Sequence, residues 1–219
     1  MLEIMARVDA GDLKWNNLYT VRKEHQVGGS GKLKEVKTGT KVSLKQLTEL
    51  MIIESDNTAT EVLTDIIGLE AVTKRAKNIG MTRTVMDRRI WNFDAIVLGK
   101  DNLTTARDLF TFFYKIHACA NNKINISGLS SLSCRMALDI LKQQKNRKMI
   151  PRYLSNDIQV AHKTGELTGV VGDAGIVYVD NNPVIICVLA NQTNNLQARE
   201  GIANLAKKTV YYLQKGEKQ

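Results

Sequence analysis

Leu2, Met5 and Val8 recur at three-residue intervals, the stripe of an amphipathic helix, and Asp9-Ala10-Gly11 ends it. Residues 12–40 lose that period. They are turn-rich, with Gly28-Gly29-Ser30-Gly31 at the centre, and read as an excursion over the surface. Ser43 with Gln46 three residues on forms a capping box, and Leu44, Leu47, Leu50 and Met51 then share one face, which predicts a helix to about Glu54. Ser55-Asp56-Asn57 follow as a kink. Asn57 or Thr58 can cap the next helix, whose Ala59, Val62, Leu63 and Ile66 face inward until Gly68. A third short helix covers about 69–78 and stops at Gly80.

Residues 81–103 show no clear period and are expected to form a loop on a cleft rim. Thr104 or Thr105 starts a helix carrying Leu109, Phe112, Phe113 and Ile116, and another lies near 128–142. After Pro151 the pattern changes to strands, predicted over 158–162, 174–179 and 184–190, with Asp180-Asn181-Asn182-Pro183 turning between the last two. The run Val184-Ile185-Ile186-Cys187-Val188-Leu189-Ala190 fits a strand covered on both faces, and a final helix from about Leu196 to Leu213 buries Ile202, Leu205 and Val210. A helical block, antiparallel strands and a covering C-terminal helix make an α+β fold. The expected organisation is a single domain over 1–219, with a helical lobe over about 1–150 and the sheet with its helix over about 151–219.

The net charge of +9 comes from lysines spread along the chain, so it describes a solvated surface. No nucleic-acid motif accompanies it, and no nucleic-acid partner is expected. No run approaches the roughly 18 apolar residues of a membrane span, and no signal peptide opens the chain. Cys119, Cys134 and Cys187 lack a disulfide or metal spacing. Cys119 and Cys187 sit in apolar runs and read as small buried hydrophobes. His25, His117 and His162 are too scattered for a metal cluster, so neither a metal nor another cofactor is expected. A monomer is expected.

Two short motifs carry the candidate chemistry. Ser55-Asp56-Asn57 ends a helix, and Lys163-Thr164-Gly165 ends a strand leading into a hairpin. Each is weak alone. Lys37-Thr38-Gly39 repeats the second motif in a polar loop and is read as a turn. In this order and setting, S-D-N and K-T-G resemble the signature of class A β-lactamases and the related penicillin-binding proteins. The resemblance extends to Ala6–Gly11 as the end of the nucleophile-bearing helix. It also takes in residues 102–106 as the exit of the ω-loop, and Asp173–Val177 as the strand after K-T-G.

The resemblance implies a serine hydrolase that opens the β-lactam amide through an acyl-enzyme. Ser55 would relay a proton to the leaving nitrogen, and Lys163 would supply positive charge to Ser55 and to a substrate carboxylate. Thr164 would hydrogen-bond that carboxylate, Gly165 would admit the ligand to the strand, and the Glu166 N–H would form half an oxyanion hole. Asn57 would touch the substrate's amide arm, and Asp56 would point inward as a structural acceptor. His162 would serve only in packing or a local hydrogen bond.

The chain departs from the pattern twice. No serine is followed three residues on by lysine, so the S-x-x-K nucleophile motif is absent, and Met1 is expected to be an internal methionine of a longer protein. Residues 81–103 contain no glutamate. Asp94, desolvated beside Phe93 and Trp91, and Asn92 compete for the deacylation position, and an amide at that position cannot act as a base. A β-lactamase-like hydrolase, a D,D-peptidase acting on peptidoglycan stem peptide, and a non-catalytic binder of cell-wall peptide or β-lactam all remain open. By resemblance the protein works outside the cell or in its envelope.

Overall fold

The computed structural model describes residues 1–180 and 182–216. Its helical part comprises α1 (Leu2–Asp9), α2 (Leu44–Ile53), α3 (Asn57–Ile67), α4 (Leu69–Asn78), α5 (Asp94–Val97), α6 (Ala106–Ala120) and α7 (Ser131–Lys142). Two short strands, β1 (Leu18–Thr20) and β2 (Lys41–Ser43), pair ahead of α2. The main sheet is antiparallel with β3 (Gln159–Leu167) at one edge, β4 (Val170–Val179) in the middle and β5 (Asn182–Asn191) at the other edge. Helix α8 (Asn195–Gly216) follows. The α+β arrangement is therefore present, and no helix among the described residues is long and apolar enough to cross a membrane.

Alternation along the strands explains how the sheet sorts its two faces. Ala161, Ala174 and Ile176 join Phe113, Ile116, Leu138 and Leu141 of the helical lobe in one core. Val160, Val171, Val177 and Ile186 turn the other way and pack under Ile202, Ala206 and Val210 of α8. Neighbouring positions on β3 therefore serve opposite cores, and this places Lys163 toward the helices and Thr164 and Glu166 toward α8.

Several local expectations need correction. The predicted burial of Leu205 fails, since it is 48% exposed; Ile202, Ala203, Ala206 and Val210 form the buried stripe instead. Strand β5 is not fully covered on both faces, since Leu189 is 41% exposed. Asn181, in the expected turn, lies outside the described residues. Thr105 caps α6 through the Asp108 N–H, and Ser130 caps α7 through that of Ser133.

The glycine-rich stretch is more than a surface excursion. It lies against the end of α2 and start of α3, where Gly31 has φ of +100° and a Cβ built on it would fall 2.2 Å from the Asp56 carboxyl carbon. At Gly29 a Cβ would fall 2.5 Å from Asn57 Nδ2. Only a chain without side chains can pass this close, so these glycines are fitted to S-D-N. Gly39, by contrast, has φ of +95° and open space around it, and Lys37-Thr38-Gly39 is a turn in which Thr40 N bonds Lys37 O.

Cysteine pairing is also corrected. Cys119 on α6 and Cys134 on α7 form a disulfide with a Cα separation of 6.0 Å, and Cys187 is free. The α6–α7 hairpin brings the two thiols onto facing turns, a proximity that sequence spacing does not display.

Thiol titration of the unfolded, unreduced protein finds one free thiol; three would contradict the bridge. Replacing Cys119 by Ser lowers the unfolding free energy by about 3 kcal/mol, as expected for a loop of this size. In urea melts Gly39→Ala costs about 1 kcal/mol from left-handed strain alone. Gly31→Ala costs several kcal/mol, because Asp56 must also be displaced; equal losses would refute the fit.

Candidate active site

Ser55 occupies a backbone conformation that is costly for serine. Its φ is +53°, in the left-handed region that helix ends usually give to glycine. The Asp56 N–H returns to the Leu50 carbonyl at 3.1 Å, so Ser55 is the turn by which α2 stops and α3 begins. Asp56, fully buried, caps α3 in place of the expected Asn57 or Thr58. Its Oδ1 accepts from Ala59 N at 2.8 Å, and its Oδ2 accepts from Lys32 N at 2.8 Å and Leu33 N at 2.9 Å. Asp56 thus ties the glycine-rich loop to the serine turn, and Ser55 is held strained between the two helices.

K-T-G lies inside β3 and does not end it, since pairing with β4 continues to Leu167↔Val170. From the helix-facing side of the strand, Lys163 Nζ donates to Ser55 Oγ at 2.7 Å and to the Thr164 carbonyl at 2.6 Å. Two motifs 108 residues apart therefore meet in direct contact. Burial lowers the ammonium pKa to about 8, only partly opposed by the Asp173 carboxylate. The ammonium bonds the Thr164 carbonyl on the free edge of the sheet. Backbone groups two residues apart point the same way, so the Glu166 N–H is directed to that edge as well. At Gly165 a Cβ would meet nothing within 4 Å, so the strand is open to an approaching group. Thr164 is 7% exposed.

Behind this edge His162 Nδ1 and Asp173 Oδ1 are 2.9 Å apart, both buried, and Asp173 Oδ2 accepts from Ile150 N at 2.9 Å. His162 therefore has the local hydrogen bond expected of it.

Asn57 turns its amide to the glycine-rich loop, donating from Nδ2 to Gly28 O at 2.9 Å. The Trp91 indole lies against the same backbone, 3.4 Å from a Cβ built on Gly28. The 81–103 loop thus forms a wall here. It is closed at its base by the Val85↔Leu103 bridge and by Arg88 Nε on Asp101 Oδ1 at 2.7 Å. Arg89 ties it to α3 through Glu61 at 2.6 Å and through Asp65. Of the two candidates for the deacylation position, Asp94 lacks the desolvated setting expected of it. Asp94 is solvent-exposed on α5, so the burial invoked for it is absent, while Asn92 is exposed and its Oδ1 accepts from Ala95 N at 3.3 Å.

A largely apolar cavity of about 560 Å³ lies between α1, α4, α6 and the sheet, lined by residues of β3, β4 and β5 that include Lys163, Thr164, Gly165 and Glu166. Lys163 links this space to Ser55. Sequence reading missed two groups here. Arg199 and Asn195, from the first turns of α8, both grip the Glu166 carboxylate. Nothing in their local sequence marks them, because only the folded position of α8 beside the hairpin brings them there.

Comparison with known proteins agrees with this geometry. A family model described as "Beta-lactamase enzyme family" matches residues 1–213. No curated protein matches significantly. Among solved structures, PBP-A is similar with a TM-score of 0.84 at 26% identity, covering 98% of this chain and 77% of its own. A mutant of PBP-A, solved as an acyl-enzyme complex with penicillin G, has a TM-score of 0.84 at 26% identity, covering 98% and 78%. A β-lactamase from Sphaerobacter thermophilus has a TM-score of 0.83 at 28% identity, covering 95% and 78%. The family match runs through both motifs and through the contact that joins them, and the chain belongs to the β-lactamase enzyme family.

Proposed function

We propose that the site recognises the β-lactam amide, or the D-alanyl end of a peptidoglycan stem peptide, and belongs to a serine hydrolase that works through an acyl-enzyme. The observation that carries this is the 2.7 Å contact between Lys163 Nζ and Ser55 Oγ. A substrate carboxylate would sit at the Lys163 ammonium and the Thr164 hydroxyl, with the scissile carbonyl oxygen toward the Glu166 N–H. Ser55, already bonded to an ammonium of lowered pKa, would pass a proton toward the leaving nitrogen. Asn57, its Nδ2 engaged by Gly28, would offer its side-chain oxygen to the N–H of the substrate's amide arm.

These 219 residues contain no S-x-x-K, so to the acyl-transfer chemistry they contribute the Ser55–Lys163 pair and the substrate-binding edge, and on their own they are expected to bind ligand non-covalently. The 81–103 loop favours the penicillin-binding reading over rapid β-lactam hydrolysis, because it holds no glutamate and its Asp94 points to solvent. We place the protein outside the cytoplasm, where the Cys119–Cys134 bridge would persist.

The test is calorimetric binding of benzylpenicillin. Lys163→Ala should weaken binding roughly 10- to 100-fold by removing a charge-assisted hydrogen bond. Binding should also weaken as pH rises through about 8, because the protonated lysine is the binding form. Nitrocefin should not be turned over, and a covalent penicilloyl adduct would overturn the non-covalent reading. Ser55→Gly should raise the unfolding free energy by about 1 kcal/mol by releasing the left-handed serine, while weakening binding. A loss of stability instead would show that the Ser55 hydroxyl is mainly structural.

A further inference from the structure

The residue after K-T-G brings a negative charge to the place where a substrate carboxylate is expected. Glu166 shares a face of β3 with Thr164, two residues away, so the two positions lie roughly 7 Å apart on the strand. A ligand carboxylate that bonds the Thr164 hydroxyl would therefore lie on the face that carries the Glu166 carboxylate, while Lys163 reaches the same edge from the helix side. The Glu166 carboxylate is held from α8. Arg199 Nε donates to Oε2 at 3.0 Å, Arg199 Nη2 donates to Oε1, and Asn195 Nδ2 donates to Oε1 at 2.9 Å. Asn195 also receives the Gly169 N–H at 3.0 Å and donates to the Leu167 carbonyl at 2.9 Å, so the β3–β4 hairpin and α8 are fixed to each other here. Burial alone would raise the Glu166 pKa, but the bonds from Arg199 and Asn195 outweigh it and hold the group ionised.

We propose that Arg199 is a specificity-determining residue: by neutralising Glu166 it makes the K-T-G edge accept carboxylate-bearing ligands. This rests on the binding site proposed above. With Arg199 in place, the Glu166 charge is balanced by a directly bonded guanidinium. Without it, Glu166 keeps the neutral Asn195 amide and the field of Lys148 but loses its bonded cation, and its charge disfavours a ligand carboxylate by roughly three- to ten-fold at such a distance in a partly aqueous cleft. A ligand without that carboxylate would be indifferent to the change.

The experiment is a charge cycle read with two probes, benzylpenicillin and its neutral methyl ester, on the full chain. Arg199→Ala should weaken benzylpenicillin roughly three- to ten-fold and leave the ester within two-fold. Adding Glu166→Gln to that variant should restore benzylpenicillin binding, and Arg199→Lys, which keeps the charge, should stay near wild type. Thermal melts identify any variant that has lost its fold, in which case Arg199→Lys and Glu166→Gln carry the comparison. Equal weakening of both probes, or no rescue by Glu166→Gln, would reduce Arg199 to a clamp on the hairpin and overturn the proposal. The failures can be told apart. If Lys163→Ala leaves benzylpenicillin binding unchanged, or wild type binds neither probe, the site assignment itself falls and this inference falls with it. If Lys163→Ala weakens binding while the charge cycle is flat, only the inference falls.

Discussion

Everything functional in this chain depends on one buried ammonium. Lys163 reaches from a strand to a serine on a helix end, and burial makes its charge costly enough to lower its pKa to about 8. A lysine left in water would make a poor relay and a diffuse anchor. Partly dehydrated between the Ser55 hydroxyl and the Thr164 carbonyl, it is both a directed cation and a group that can release its proton near neutral pH.

The fold supplies that environment by holding each partner from a different direction. Asp56 pins the serine turn by accepting three backbone N–H groups from two segments. On the other side, strand alternation sends Lys163 toward the helices while Thr164 and Glu166 face α8. Ser55 remains in a left-handed conformation because the surrounding bonds fix the chain on both sides of it. Strain of this kind persists where the neighbouring structure determines the backbone, which is the case between α2 and α3.

Much of this was legible in the sequence. The capping box at Ser43 and Gln46, the 69–78 helix and the cap at Thr105 are local signals, and each appears where its side chains predict it. The meeting of Ser55 with Lys163 was foreseeable only through the family resemblance that the two motifs carry. What escaped was non-local. The glycine-rich stretch looked like a surface loop, since nothing nearby shows that Asp56 and Asn57 would press against it. The Cys119–Cys134 bridge needs the α6–α7 hairpin before it becomes visible. Asp94 appeared desolvated beside two aromatics, yet α5 turns it outward. Arg199 and Asn195 carried no motif, and only the placement of α8 reveals their hold on Glu166.

The most direct measurement is an NMR titration of the Lys163 side chain with selectively labelled lysine, assigned by the Lys163→Arg spectrum. A midpoint near pH 8 that moves upward when benzylpenicillin is added would show a desolvated ammonium receiving an anion. A midpoint near the ordinary lysine value of about 10.4, unmoved by the ligand, would contradict the account. The lysine would then be a solvated strand-end charge, and the two motifs would not form a working site.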